Sequence, residues 1–191
     1  MTFLLKMNNV HIMMNSVTTK EQILVAAKKE AKSKGVDKIG MREIAKAESI
    51  ALGTIYNYFP SKEALILSTI SSIWREATNT LNEHSDFISA ISNVYNVILT
   101  VDSDYSGFLS SHASFLKEKK EGRKEMDDAL SVLRKYLASS MDEELRVKIK
   151  ETMDEDKFSE FVLNNIILSA LKKEEPRILK ALVFNYIKVK Q

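Results

Sequence analysis

Residues 41–65 read MREIAKAESIALGTIYNYFPSKEAL. Met41, Ile44, Ala45 and Glu48 fall at i, i+3, i+4 and i+7, a stripe that is apolar except at its last member, while Arg42, Glu43 and Lys46 face away. The spacing predicts a helix of about two turns, too short to be stable without packing. In the next segment Ile55 and Phe59 share one face with Leu52 nearby, which leaves Gly53, Thr54, Tyr56, Asn57 and Tyr58 for the outside. Surface helices normally fill such positions with Glu, Lys and Ala, which favour helix. Something other than helix stability selects them here. Thr, Asn and Tyr donate to phosphate oxygens, Asn pairs with adenine edges, and Gly lets a backbone approach a groove closely.

Pro60 stops this second helix by removing a donor and biasing Phe59 out of the helical region. Ser61 restarts the chain as an N-cap, with Lys62 and Glu63 at the first helical positions. A cation at a helix N-terminus opposes the local dipole, a mild cost that makes sense for a Lys62 that reaches a phosphate. Two short helices, a tight connection and a capped third helix read as a helix-turn-helix.

The stretch resembles the DNA-binding domain of the TetR family, the tetracycline-repressor-like one-component regulators. The resemblance covers residues 18–67 and is most specific over GTIYNYFPSKEAL. It implies that Arg42, Leu52 and Gly53 approach base edges, that Thr54, Tyr56, Tyr58 and Lys62 grip phosphates, and that Asn57 lies near the groove. Three positions depart from the family pattern: Glu48 replaces a small apolar residue, Ser49 the turn glycine, and Gly40 the Ser or Thr that often caps the first motif helix. A non-glycine residue in a left-handed turn costs on the order of 1 kcal/mol, and Glu48 must reach solvent or a cation.

The 191 residues, 45% hydrophobic and 28% charged, describe an ordinary soluble globular chain long enough to bury a core. Five glycines, two prolines and no sustained alternating run predict an all-α fold. With no cysteine there is no disulfide or thiolate metal site, in keeping with a reducing cytoplasm. Residues 18–64 carry nine cations against six carboxylates, about +3, in a chain of net charge +2. Lys28, Lys29, Lys32 and Lys34 serve either DNA or simply the wet face of a helix.

Residues 1–17 read as an extension that is neither signal peptide nor membrane span. Thr18 or Thr19 then caps a helix ending at Gly35, with Ile23, Ala26, Ala27 and Ala31 as its buried stripe. From Ser61 a long helix carrying Trp74 is expected to run to about His84, and another over 86–101. VDSDYSG and the charged run KEKKEGRKE read as a loop and a turn, and helices follow near 125–140 and 145–149. FVLNNIILSAL and RILKALVFNYIKV each offer apolar faces that a single copy would leave exposed. Either they close the core or, as the resemblance implies, they build a two-fold four-helix dimer interface through Phe161, Ile166, Ile167, Ile178, Leu182 and Tyr186. Trp74, Phe87, Tyr95, Phe108, His112, Phe115 and Tyr136 either line an apolar cavity or pack as core.

The expectation is thus an all-α protein of about nine helices: an extension (1–17), a helix-turn-helix domain (18–67), and a helical dimerisation and effector domain (68–191). Its function would be that of a homodimeric regulator of double-stranded DNA, a repressor released from a palindromic operator by a small, largely apolar ligand, without cofactor, metal or membrane. No HExxH, helical ExxH pair, phosphate loop or Ser-His-Asp spacing supports catalysis. Two rivals stand at this point: a small helical enzyme acting on an apolar substrate, using His84 and His112, and an adaptor whose helix-turn-helix binds protein.

Overall fold

The computed structural model describes residues 18–81, 85–105, 107–109 and 120–188, and the side chains of these apart from 120–129 and 187–188. Among them are nine α-helices and no strand: α1 (Lys20–Lys34), α2 (Met41–Ala47), α3 (Leu52–Tyr58), α4 (Lys62–Thr78), α5 (Phe87–Asp104), α6 (Lys120–Ser139), α7 (Glu143–Lys150), α8 (Glu155–Lys172) and α9 (Arg177–Lys188), with a 3-10 turn at Val36–Lys38.

Helix starts follow side chains that satisfy free amides. Thr19 accepts from the Gln22 amide at 3.2 Å while the Gln22 side chain accepts from the Thr19 amide at 2.9 Å, a reciprocal box. Ser61, Asp86 and Asp142 cap α4, α5 and α7 more simply, each side chain accepting from the amide three residues on. Each cap is worth about 1 kcal/mol. The hydroxyl and amide of Ser89 hold the Asp86 carboxyl below the usual carboxylate range.

α1 packs on α2 and α4, and α2 on α3. Ile23, Ala26, Ala27 and Ala31 meet Met41, Ile44, Ala45, Ile55 and Phe59, all buried. Leu65, Ile66, Ile70, Ile73 and Trp74 carry this core along α4 without a break into the body, where α5, α6 and α8 pack together. α4 thus belongs to both ends of the described fold.

Three boundaries differ from the sequence expectation. α4 ends at Thr78 rather than near His84, which lies outside the described residues. The Thr78 and Thr80 hydroxyls bond back to the carbonyls of Arg75 and Ala77, an alternative to continued helix that Thr and Asn favour. α5 runs on through VDSD, since Val101 and Tyr105 are buried and the Tyr105 amide still closes on the Val101 carbonyl at 3.0 Å. The charged run at 117–125 is helical from Lys120, as its Lys, Glu and Arg content allows.

Candidate nucleic-acid interface

The link between α2 and α3 is a compact C-terminal cap. The Ile50 amide reaches the Ala45 carbonyl at 2.9 Å and the Ser49 amide reaches that of Lys46 at 3.3 Å, with Ser49 at φ 55°. Ser49 therefore occupies the left-handed position of a missing glycine, at a cost of about 1 kcal/mol. Glu48 escapes to solvent. Gly40 starts α2 without a side-chain cap, but Glu30 of α1 accepts from its amide at 3.1 Å. Glu30 also holds Lys34 at 2.9 Å, which raises the Lys34 ammonium above its ordinary range. Local patterning does not reveal this tie, because its partners are ten residues apart and on different elements.

α3 buries Ile55 completely, and Phe59 follows at 1% exposed. Losing the Phe59 ring would cost about 3–5 kcal/mol. Lys20 lies over that ring at 5.5 Å. The opposite face is open: Gly53, Tyr56, Asn57 and Tyr58 are exposed, with Leu52 and Thr54 half-buried at its edges. Arg42 on α2 and Lys62 at the start of α4 are exposed as well. A methyl group placed on Gly53 would meet nothing within 4 Å, and Gly53 is not among the positive-φ glycines. Neither packing nor backbone geometry within the chain calls for glycine there, although glycine disfavours helix.

Tyr58 needs a correction. Its hydroxyl donates to the Thr18 carbonyl at 2.6 Å, so the proton expected to reach a phosphate ties the start of α1 to the end of α3. Lys28 is largely buried and Lys32 half-exposed, and each has a carboxylate partner in place of a fully solvated position. Lys28 pairs with Glu76 and Lys32 with Asp104, both in the body.

Of the residues considered for a ligand cavity, the described ones pack against one another and the core. Trp74 meets Phe108 edge-on at 5.5 Å, and Phe87 stacks on Phe158 at 5.8 Å. Tyr95 is buried, and the Tyr136 hydroxyl joins Asn93 and Ser85 in a polar cluster. His112 and Phe115 lie outside the described residues. A cleft of about 290 Å³ opens instead between the end of α4 and α5, lined by Ala77, Thr80, Leu81, Asn93, Asn96, Val97 and Thr100. Of the residues considered for a dimer interface, Phe161, Ile178, Leu182 and Tyr186 are exposed, Ile178 at 79%, and Ile167 is half-buried. Ile166 is a second correction: it lies on the inner face of α8 at 0% exposure and belongs to the core of its own chain. Leu168 and Leu171, on the outer face of α8, extend the apolar surface.

Among the described residues no three His, Asp or Glu side chains gather as a metal site. No described helix is long and apolar enough to cross a membrane.

Nine helices among the described residues, with an α2–α3 motif of this geometry, make an all-helical protein with an amino-terminal helix-turn-helix. Residues 23–69 match the family described as bacterial regulatory proteins, tetR family. Over 79 residues the chain is 28% identical to the HTH-type transcriptional regulator LuxR of Vibrio harveyi, a stretch amounting to 41% of this chain and only 38% of that protein. In shape it is similar to Salmonella enterica GusR, with a TM-score of 0.62 at 17% identity, over 89% of this chain and 98% of that one. It is also similar to a tetR-family transcriptional regulator from Streptomyces coelicolor, with a TM-score of 0.58 at 12% identity, over 87% of this chain and 77% of that one. A third, E. coli NemR in its reduced form, gives a TM-score of 0.55 at 15% identity, over 86% and 94%. At these identities the structural likeness speaks for the fold.

Proposed function

We propose that the chain is a sequence-specific, dimeric DNA-binding regulator of transcription, and in particular a repressor. The observation that carries this reading is the outer face of α3, where Gly53, Tyr56 and Asn57 are exposed and the space around Gly53 is open. A duplex supplies what the chain lacks: phosphates for Thr54, Tyr56 and Lys62, base edges for Arg42 and Asn57, and a close approach at Gly53. Tyr58 serves by holding α1 against α3.

The second copy sits on the outer faces of α8 and α9, where Phe161, Leu168, Ile178 and Leu182 are each more than half exposed. A two-fold pairing there presents two α3 helices to one side of the duplex, about 34 to 36 Å apart, which calls for an inverted-repeat site. A small-molecule effector acts through α4, which runs from Lys62 to the buried Trp74 region. It releases DNA by binding the incompetent arrangement more tightly, with a coupling of about 1–3 kcal/mol.

Enrichment of bound duplexes from a random pool tests this. The expected outcome is an inverted repeat with a fixed spacing between its halves. A pool that emerges unenriched, while the protein captures a polypeptide partner instead, would favour the adaptor.

A further inference from the structure

We propose that four charges at the junction of α1 with α4 and α5 fix the angle at which the recognition helix is presented, with Lys32 as the positioning residue on which that angle turns. The inference rests on the DNA-binding reading above.

Lys28 and Lys32 stand one turn apart on the same face of α1. The Lys28 side chain is only 13% exposed, and its ammonium donates to the Glu76 carboxylate on α4. The Lys32 ammonium donates to Asp104 Oδ2 at 3.1 Å, at the last residue of α5. It also lies 5.2 Å over the ring of Tyr105, which ends that helix. A carboxylate, an aromatic face and the carbonyl end of a helix each attract a cation, and Lys32 meets all three. Asp104 raises the Lys32 ammonium above its ordinary range accordingly. From Tyr105 the contacts continue to Phe108 at 6.0 Å and from Phe108 to Trp74 in α4.

The need for such a clasp follows from what α1 offers the core. Three of its four buried positions are alanine, so its surface has little relief to interlock with α4, and packing alone sets the angle between them loosely. Two ion pairs from one face of α1 to two different body helices restrict that angle. Half-exposed pairs of this kind add little to overall stability. They have leverage because α1 carries α2 and α3 with it, and a small rotation about α4 changes the separation of two recognition helices in a dimer.

The test uses the full chain with Lys32→Met, Asp104→Asn, the double variant and Lys32→Arg. Affinity is measured for the selected inverted repeat and for versions with one base pair added or removed between the halves. The clasp predicts that both single variants weaken binding at the best spacing by about two- to five-fold, the range an exposed pair carries, and discriminate less between spacings. The double variant should be no worse than either, and Lys32→Arg should behave as the parent. Simple charge would act differently: Asp104→Asn adds a positive charge and would tighten binding at every spacing, while Lys32→Met would weaken it. A general loss of structure would lower all spacings alike. Unchanged spacing preference in both single variants, or opposite effects of the two, overturns the proposal. A double-mutant cycle on thermal unfolding without DNA shows separately whether Lys32 and Asp104 are coupled. An absence of coupling there sinks the clasp whatever the DNA result. Coupling in a protein that selects no duplex would mean that the clasp exists and that the DNA-binding reading has failed.

Discussion

Two faces of the molecule are shaped by more than the needs of a single chain, and they are opposites. On α3 the outward residues are Gly, Thr, Tyr and Asn, poor helix formers rich in donors. On α8 and α9 they include Phe161 at 53%, Leu168 at 55%, Ile178 at 79% and Leu182 at 61% exposed. The first face forgoes helix stability and keeps its polar groups available, which suits a hydrated, charged partner. The second leaves apolar area in water, at about 1.5–3 kcal/mol for each large side chain that a partner could bury. The difference teaches that, on the function proposed above, the two faces call for partners of opposite chemistry, a hydrated polyanion for one and a dry contact with an identical copy for the other.

The largest test removes the dry contact. Leu182→Glu places a charge in the apolar face, and sedimentation should show monomers where the parent is dimeric. Affinity for an inverted repeat should then drop by about 100-fold or more, because the second half-site no longer binds as part of one molecule. A variant that stays dimeric and binds as the parent does would assign the apolar face to something else. A smaller effect is expected on the polar face. Lys62→Ala should weaken binding to all duplexes and lower the salt slope by about 1, whereas Tyr56→Ala should weaken it with the slope unchanged, since the phenol is neutral. Titrations at several salt concentrations separate the two, and equal slopes for both variants would remove Lys62 from the phosphates. Smallest is Ser49→Gly, which relieves the left-handed strain between α2 and α3. Thermal or urea unfolding should show a gain of about 0.5–1 kcal/mol with DNA affinity held. A loss of stability would mean that Ser49 is not strained.

The amino-terminal helices were legible because the relevant signals are local. Ile23, Ala26, Ala27 and Ala31 repeat at helical spacing, Thr19 and Gln22 form their box three residues apart, and Pro60 and Ser61 mark the break after α3. The outer face of α3 could be read as the remainder once Ile55 and Phe59 were assigned inward. What could not be read depends on partners distant in the chain. The Tyr58 hydroxyl finds Thr18 forty residues away, and Lys32 finds Asp104 seventy-two away. Ile166 shows the same limit: FVLNNIILSAL is apolar around much of its circumference, so periodicity alone could not separate the inward Ile166 from the outward Leu168. The aromatic residues of the body were ambiguous for a related reason, since core packing and cavity lining use the same side chains at the same spacing.

Gly53 tests the central claim most directly, because it separates what the chain needs from what a duplex needs. Gly53→Ala should raise the unfolding free energy by up to about 1 kcal/mol, there being open space for the methyl group and a better helix former in place. The same variant should bind the selected inverted repeat at least about tenfold more weakly, the methyl group standing where the duplex approaches. A variant that is stabilised and still binds DNA as tightly as the parent would contradict the account.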